Sequence, residues 1–176
     1  MEDQRRPGFT LVELLVTLAV IALLASVAAP AMGVFLDKAR IRSAAQTLVQ
    51  ELRGARAYAL SHAQAVHFSL HQSPGGHWCY GWRDATPCQC TADRPPSSCR
   101  TSGDDRLHSQ DSIDFPAVQL ITQRPSKNAL QFSPIRGTAT AATIELRNAN
   151  ARVRIILSPL GRVRTCTPTG MDHATC

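Results

Sequence analysis

The 176-residue chain contains no Gly-x-Ser-x-Gly elbow, no phosphate-binding glycine loop and no His-Glu-x-x-His pair. Such patterns present a nucleophile, cradle a phosphate or hold a zinc ion. Without them, and with six histidines that have no catalytic neighbourhood, the sequence carries no enzyme's constellation. His67 and His71 fall two strand turns apart and read as structural. Aromatic residues make up only 5% of the chain. Few of them interleave with its basic stretches, so stacking on nucleic-acid bases is not indicated. No internal repeat is apparent. Charge is also missing from one long stretch: between Phe9 and Leu36 the only ionisable side chain is Glu13.

That exception is informative. A carboxylate at the centre of a spanning helix costs about 2.5–3.5 kcal/mol even on the lenient insertion scale. An acid in such a segment calls for a partner. Upstream is a short charged leader, Met1 to Gly8, ending Arg5-Arg6-Pro7-Gly8. An ordinary secretory signal would fit the charged start and the small residues at Ala28-Ala29-Pro30-Ala31. The Arg5-Arg6 pair fits a twin-arginine signal, and the apolar length fits a plain membrane anchor. None of these explains Glu13.

The run Gly8-Phe9-Thr10-Leu11-Val12-Glu13-Leu14 resembles the type III signal of type IV pilins and pseudopilins. It has the short charged leader, Gly before the cut, an aromatic after it, Glu at the fifth mature position and a long apolar stretch. Pro30 falls where many pilins bend the helix. The resemblance implies that a prepilin peptidase cuts after Gly8 and that the new amino terminus at Phe9 is N-methylated. It further implies that Glu13 pairs with the terminal amine of a neighbouring subunit, which supplies the missing partner.

The net charge is +6, and the arginine excess suggests an acidic partner such as nucleic acid, anionic lipid or an acidic protein face. Beyond the anchor, Leu36, Ile41, Ala44, Ala45, Leu48, Leu52, Ala55 and Ala59 recur at helical spacing. We read one helix from about Phe9 to His62, bent near Pro30 and Gly33, whose second half packs on a sheet. Strands are expected at Ala65–Leu70 and His77–Arg83 across the Ser73-Pro74-Gly75-Gly76 turn, then at Val118–Thr122 and Leu130–Phe132. Thr138–Leu146 and Arg152–Leu157 read as a hairpin across Asn148-Ala149-Asn150, and Arg162–Cys166 as a last strand. Asp84 to Asp111 reads as a long cross-linked loop. Helix followed by sheet predicts an α+β pilin fold. The domains are a leader at 1–8, a membrane-spanning and filament-core helix at 9–36, and a periplasmic or extracellular head at 37–176.

Between Arg147 and Arg164 lie five arginines and no acid. Arg152 and Arg154 alternate with Val153 and Ile155, which on a strand puts both guanidinium groups on one face. Arg162 and Arg164 repeat the pattern around Val163, after Gly161. Pairing across the Ser158–Gly161 turn would gather all four into one exposed patch suited to phosphate. The alternative is a solvated strand face whose arginines protect the edge. The segment Ile156 to Cys166 resembles the C-terminal strand and turn of the FimT/GspH group of minor pilins and pseudopilins. Within it, Gly161-Arg162-Val163-Arg164 resembles a Gly-Arg-x-Arg motif associated with DNA-binding FimT proteins. That implies non-specific DNA binding by Gly161, Arg162, Arg164, Arg152 and Arg154.

Six cysteines in a translocated domain read as disulfides. Cys166 and Cys176 enclose a short tail and are expected to pair. Cys79, Cys88, Cys90 and Cys99 allow three connectivities, and the close spacing of Cys88 and Cys90 favours one partner each from Cys79 and Cys99. Their spacing, C-x8-C-x-C-x8-C, is not that of a zinc ribbon, even with His77 and His108 nearby.

The reading is therefore a non-enzymatic minor pilin of the FimT/GspH group that binds DNA for natural transformation. No cofactor or metal is expected. Its partners would be DNA, other major and minor pilins, the prepilin peptidase and inner-membrane lipid before assembly. It would be a single-pass inner-membrane protein with a periplasmic head, displayed on the pilus after assembly. The competing reading is a structural GspH-type pseudopilin of a type II secretion system, using the same helix to assemble.

Overall fold

A computed structural model describes residues 10–90, 98–123, 129–167 and 176. The chain divides into two units, Met1–Leu36 and Asp37–Cys176. Helix α1 spans Leu11–His62. Its start is capped locally: the Glu13 N–H donates to Thr10 Oγ1 at 3.3 Å and the Leu14 N–H to the Thr10 carbonyl at 3.2 Å. Threonine is a favoured residue at this position because its oxygen satisfies an orphan amide of the first turn.

In the first unit, Leu11–Ala28 has a mean hydropathy of 2.6 and none of it is buried. In the second, α1 contributes Ile41, Ala44, Ala45, Leu48, Leu52, Ala55 and Ala59 to the core. These recur every three or four residues and so form one stripe. The expected stripe began one residue group earlier, but Leu36 is 44% exposed and belongs to the apolar unit.

Two antiparallel sheets complete the second unit. One has the order β5-β2-β1-β7, built from β1 (Val66–Gln72), β2 (Trp78–Asp84), β5 (Ser109–Asp111) and β7 (Leu130–Phe132). The other has the order β10-β9-β8-β6, built from β6 (Gln119–Gln123), β8 (Ala142–Arg147), β9 (Arg152–Leu157) and β10 (Val163–Cys166). Alternation decides which face is buried: Val66 and Phe68 in β1, Ile144 and Leu146 in β8, and Val153, Ile155 and Leu157 in β9 all face the core. Burying a side chain of this size contributes about 1.5–3 kcal/mol. Helix plus antiparallel sheets is an α+β fold, as the periodicity indicated.

The stretch expected to be a structureless loop from Asp84 to Asp111 carries strands. Besides β5, β3 (Arg100–Thr101) and β4 (Asp104–Leu107) form a small hairpin. It is anchored by a buried acid. Both Asp84 carboxylate oxygens accept from the Ser102 N–H, at 3.1 and 3.0 Å. The Tyr58 hydroxyl donates to Asp84 at 3.4 Å and accepts from the Gly103 N–H at 3.1 Å. Burial alone would push the Asp84 pKa up. The hydrogen bonds from Ser102, then from its own backbone and Tyr58, outweigh burial and hold it below the ordinary carboxylate value. The hairpin expected from Thr138 is shorter, because Thr138–Ala141 turn away before pairing begins at Ala142.

Candidate functional site

The register of the second sheet decides what the arginines can do. Arg147 pairs with Arg152, Glu145 with Arg154 and Thr143 with Ile156. Arg164 pairs with Ile156, and Cys166 with Arg154. Residues directly opposite across an antiparallel pair share a face. Arg152, Arg154 and Arg164 therefore share the outer face, together with Glu145. Glu145 binds both of its arginine neighbours: its Oε2 accepts from Arg154 Nε at 2.9 Å and its Oε1 lies 3.2 Å from Arg152 Nε. Arg147 donates to Gln119 Oε1 at 3.0 Å.

Of the four arginines expected in one exposed patch, Arg152 and Arg154 share Glu145 as an ion-pair partner. No acid lies between Arg147 and Arg164 in the chain, but the hairpin folds Glu145 over onto Arg152 and Arg154. Arg162 also differs from expectation, because it lies on the turn before β10 rather than within it. Arg162 and Arg164 are exposed and make no ion pair among the described residues. Among the described residues the four arginines divide into a pair that shares Glu145 and a pair that makes no ion pair.

Gly161 sets the turn that separates these pairs. Its φ is +71°, and the Ser158 N–H donates to the Arg162 carbonyl at 3.0 Å while the Gly161 N–H donates to the Ser158 carbonyl at 2.9 Å. The Arg162 N–H reaches Ser158 Oγ at 3.1 Å. A Cβ on Gly161 would run into the Gly137 carbonyl oxygen and lie 2.8 Å from Arg56 Nε. Glycine is required here both for its backbone angle and for space. Arg56, on α1, donates from Nε to that same Gly137 carbonyl at 3.0 Å. Gly137 has a φ of +58°, and a Cβ there would sit 2.9 Å from Arg56 Nε.

Glu13 lies in the first turn of α1 rather than at its centre. An acid there is favoured by the free amides of the helix start, so the centre-of-helix cost is an upper bound. Gly8 and Phe9, the expected cleavage and methylation positions, lie outside the described residues. Three disulfides close, Cys79–Cys90, Cys88–Cys99 and Cys166–Cys176. The first two staple β2 and the segment before β3, and each closed loop of this size contributes about 2–3 kcal/mol by chain entropy. Among the described residues no group of three or more His, Cys, Asp or Glu side chains could hold a metal ion.

Sequence reasoning missed Glu145 and Arg56. The first depended on the length of one turn. Counting outward from the expected turn Asn148-Ala149-Asn150 sets Glu145 opposite Val153; the observed connection is one residue longer, Asn148–Ala151, and it is this that sets Glu145 opposite Arg154. Arg56 carried no signal, since it reads as one more cation on the polar side of a helix.

A family model described as type II transport protein GspH matches residues 44–161, and one described as the prokaryotic N-terminal methylation motif matches residues 3–29. No curated protein matches the chain at a significant level. Among solved structures, the chain is similar to the minor pseudopilin EpsH from the type 2 secretion system of Vibrio cholerae. That likeness has 17% identity and a TM-score of 0.50, and covers 74% of this chain and 98% of the other. It is also similar to the type IV minor pilin FimU of Pseudomonas aeruginosa, with 21% identity and a TM-score of 0.44, over 74% of this chain and 90% of the other.

Proposed function

The chain belongs to the GspH family and is a minor pilin or pseudopilin, and on that premise we propose that it binds extracellular DNA for uptake in natural transformation. In this reading residues 1–8 are the leader, 9–36 the anchor and filament-core helix, and 37–176 the head. The prepilin peptidase cuts after Gly8, the Phe9 amine is methylated, and Glu13 pairs with the amine of a neighbouring pilin. The chain is held in the inner membrane before assembly, with its head in the periplasm, and reaches the cell surface in the pilus.

The observation that carries the DNA reading is the pair of exposed, acid-free arginines at Arg162 and Arg164. A guanidinium is planar, weakly hydrated and matched to phosphate oxygens. Contacts to the backbone supply affinity without reading sequence, and they do so by releasing condensed counterions. The outer-face arginines Arg152 and Arg154 contribute less, because Glu145 already neutralises part of their charge.

The test is a salt titration of DNA binding by the full-length protein in a neutral detergent. Two unrelated duplexes should bind equally, and Arg162→Ala with Arg164→Ala should lower the slope of log affinity on log salt by about 1.8. Unchanged binding by the folded double variant sinks the assignment.

A second reading, a structural pseudopilin of a type II secretion system, is supported by the Glu145 pairing. A sheet face on which a carboxylate offsets part of the arginine charge suits contact with another protein better than an all-cationic face would. The likeness to the EpsH fold is compatible with it. Secretion that fails on deletion of the gene, with DNA uptake intact, would favour this reading over the first.

A further inference from the structure

Two turns of the same composition meet at one end of the second unit. Ser133-Pro134-Ile135-Arg136-Gly137 precedes β8, and Ser158-Pro159-Leu160-Gly161-Arg162 precedes β10. Each is closed by its own backbone bonds: the Gly137 N–H donates to the Ser133 carbonyl at 3.0 Å, and the Gly161 N–H to the Ser158 carbonyl at 2.9 Å. They are tied to each other by the Ala139 N–H, which donates to the Pro159 carbonyl at 2.9 Å. Both glycines are buried with positive φ, while each turn exposes one aliphatic and one arginine side chain. Ile135 is 85% and Leu160 62% exposed, an unusual degree of exposure for large aliphatic side chains that nothing in the fold requires.

Arg56 holds the two turns in place. Its Nε donates to the Gly137 carbonyl, and its side chain occupies the space that a Cβ on either glycine would need. Neither turn contains an acid, and no Asp or Glu occurs from 129 to 144 or from 157 to 167. The tip is a doubled unit of guanidinium beside exposed aliphatic carbon. Its charge complements a polyanion whose phosphates alternate with less polar sugar.

We infer that the two Ser-Pro turns form one contact ridge for the DNA backbone, in which Arg136 takes a phosphate beside Arg162 and Arg56 is the positioning residue that sets their separation. The inference rests on the DNA reading and deepens it, because Arg136 lies outside the Gly-Arg-x-Arg run. Ile135 and Leu160 pack against sugar at the same tip, so the contact does not depend on base identity.

The test is Arg136→Ala in the full-length protein in neutral detergent, in a duplex-binding salt titration run alongside the Arg162→Ala, Arg164→Ala double variant. The expected result is a slope reduced by about 0.9 with equal loss on two unrelated duplexes. An unchanged slope for Arg136→Ala, where the double variant does lose slope, overturns the ridge and leaves the DNA reading standing. If neither variant alters binding, the DNA reading itself fails and the ridge with it. Arg56→Lys retains the charge and most of the stem but loses the planar Nε–H. It is expected to weaken DNA binding at an unchanged urea midpoint, and undiminished affinity removes Arg56 from the ridge.

Discussion

The apolar segment Leu11–Leu36 and the double turn at Gly137 and Gly161 use opposite arrangements of the same materials. In the first, aliphatic side chains are exposed along the whole helix face set, with one acid in the first turn. No described residue covers them, and burial of so long an apolar run is what lipid or neighbouring subunits would supply. In the second, the buried residues are glycines, and what projects is arginine with isolated aliphatic carbon. A surface awaiting apolar neighbours is written directly in composition. The arginine-bearing turn surface is written in register and turn geometry, and the cations alone do not define it.

The largest effect that can break this contrast is at Glu13. Glu13→Leu should leave membrane insertion intact or improved, yet abolish recovery of the protein in sheared filaments or in crosslinks to other pilins. Normal incorporation of the variant would reduce the Glu13 carboxylate to a favourable charge at the helix start. Next comes Gly161→Ala. The added Cβ meets the Gly137 carbonyl and Arg56 at a positive φ, which should cost about 1–3 kcal/mol, read as a lowered urea midpoint. Gly75→Ala, where a Cβ meets nothing, should change the midpoint by less than about 1 kcal/mol.

A smaller effect sharpens the division among the arginines. Glu145→Gln releases Arg152 and Arg154 from their shared acid, so DNA affinity at low salt should rise and the salt slope should steepen. The smallest is a pH dependence. The Asp84 pKa is depressed in the fold, so its contribution is present above the ordinary value of about 3.8 and is lost as pH falls from there through the folded value. Asp84→Asn should flatten the acid limb of a stability profile. It should also loosen the β3–β4 hairpin, seen as faster amide exchange at Ser102 and Gly103.

Much of this architecture was legible before any coordinates. The helix stripe from Ile41 to Ala59 and the strands at Val66, Leu130 and Arg152 follow from periodicity, because burial on one face imposes it, while the strand at Trp78, buried on both faces, was marked by the Ser73–Gly76 turn before it. The short strands of the cysteine-rich segment were not legible. They are held by the Asp84 anchor and two disulfides rather than by an alternating pattern, and such long-range ties leave no local trace. The candidate site divides in the same way. Gly161, Arg162 and Arg164 stood out as a run. Glu145 is close in sequence but acts through strand pairing, and Arg56 acts across 81 positions of chain. The GspH match spans residues 44–161 and so does not itself bear on Arg162 or Arg164.

The most direct measurement compares two double variants of the full-length protein in one duplex-binding salt titration. Arg162→Ala with Arg164→Ala should lower the slope by about 1.8. Arg152→Ala with Arg154→Ala should lower it by clearly less, because Glu145 already compensates those two. Equal losses from the two pairs, or a greater loss from Arg152 and Arg154, would contradict the assignment of DNA binding to Arg162 and Arg164.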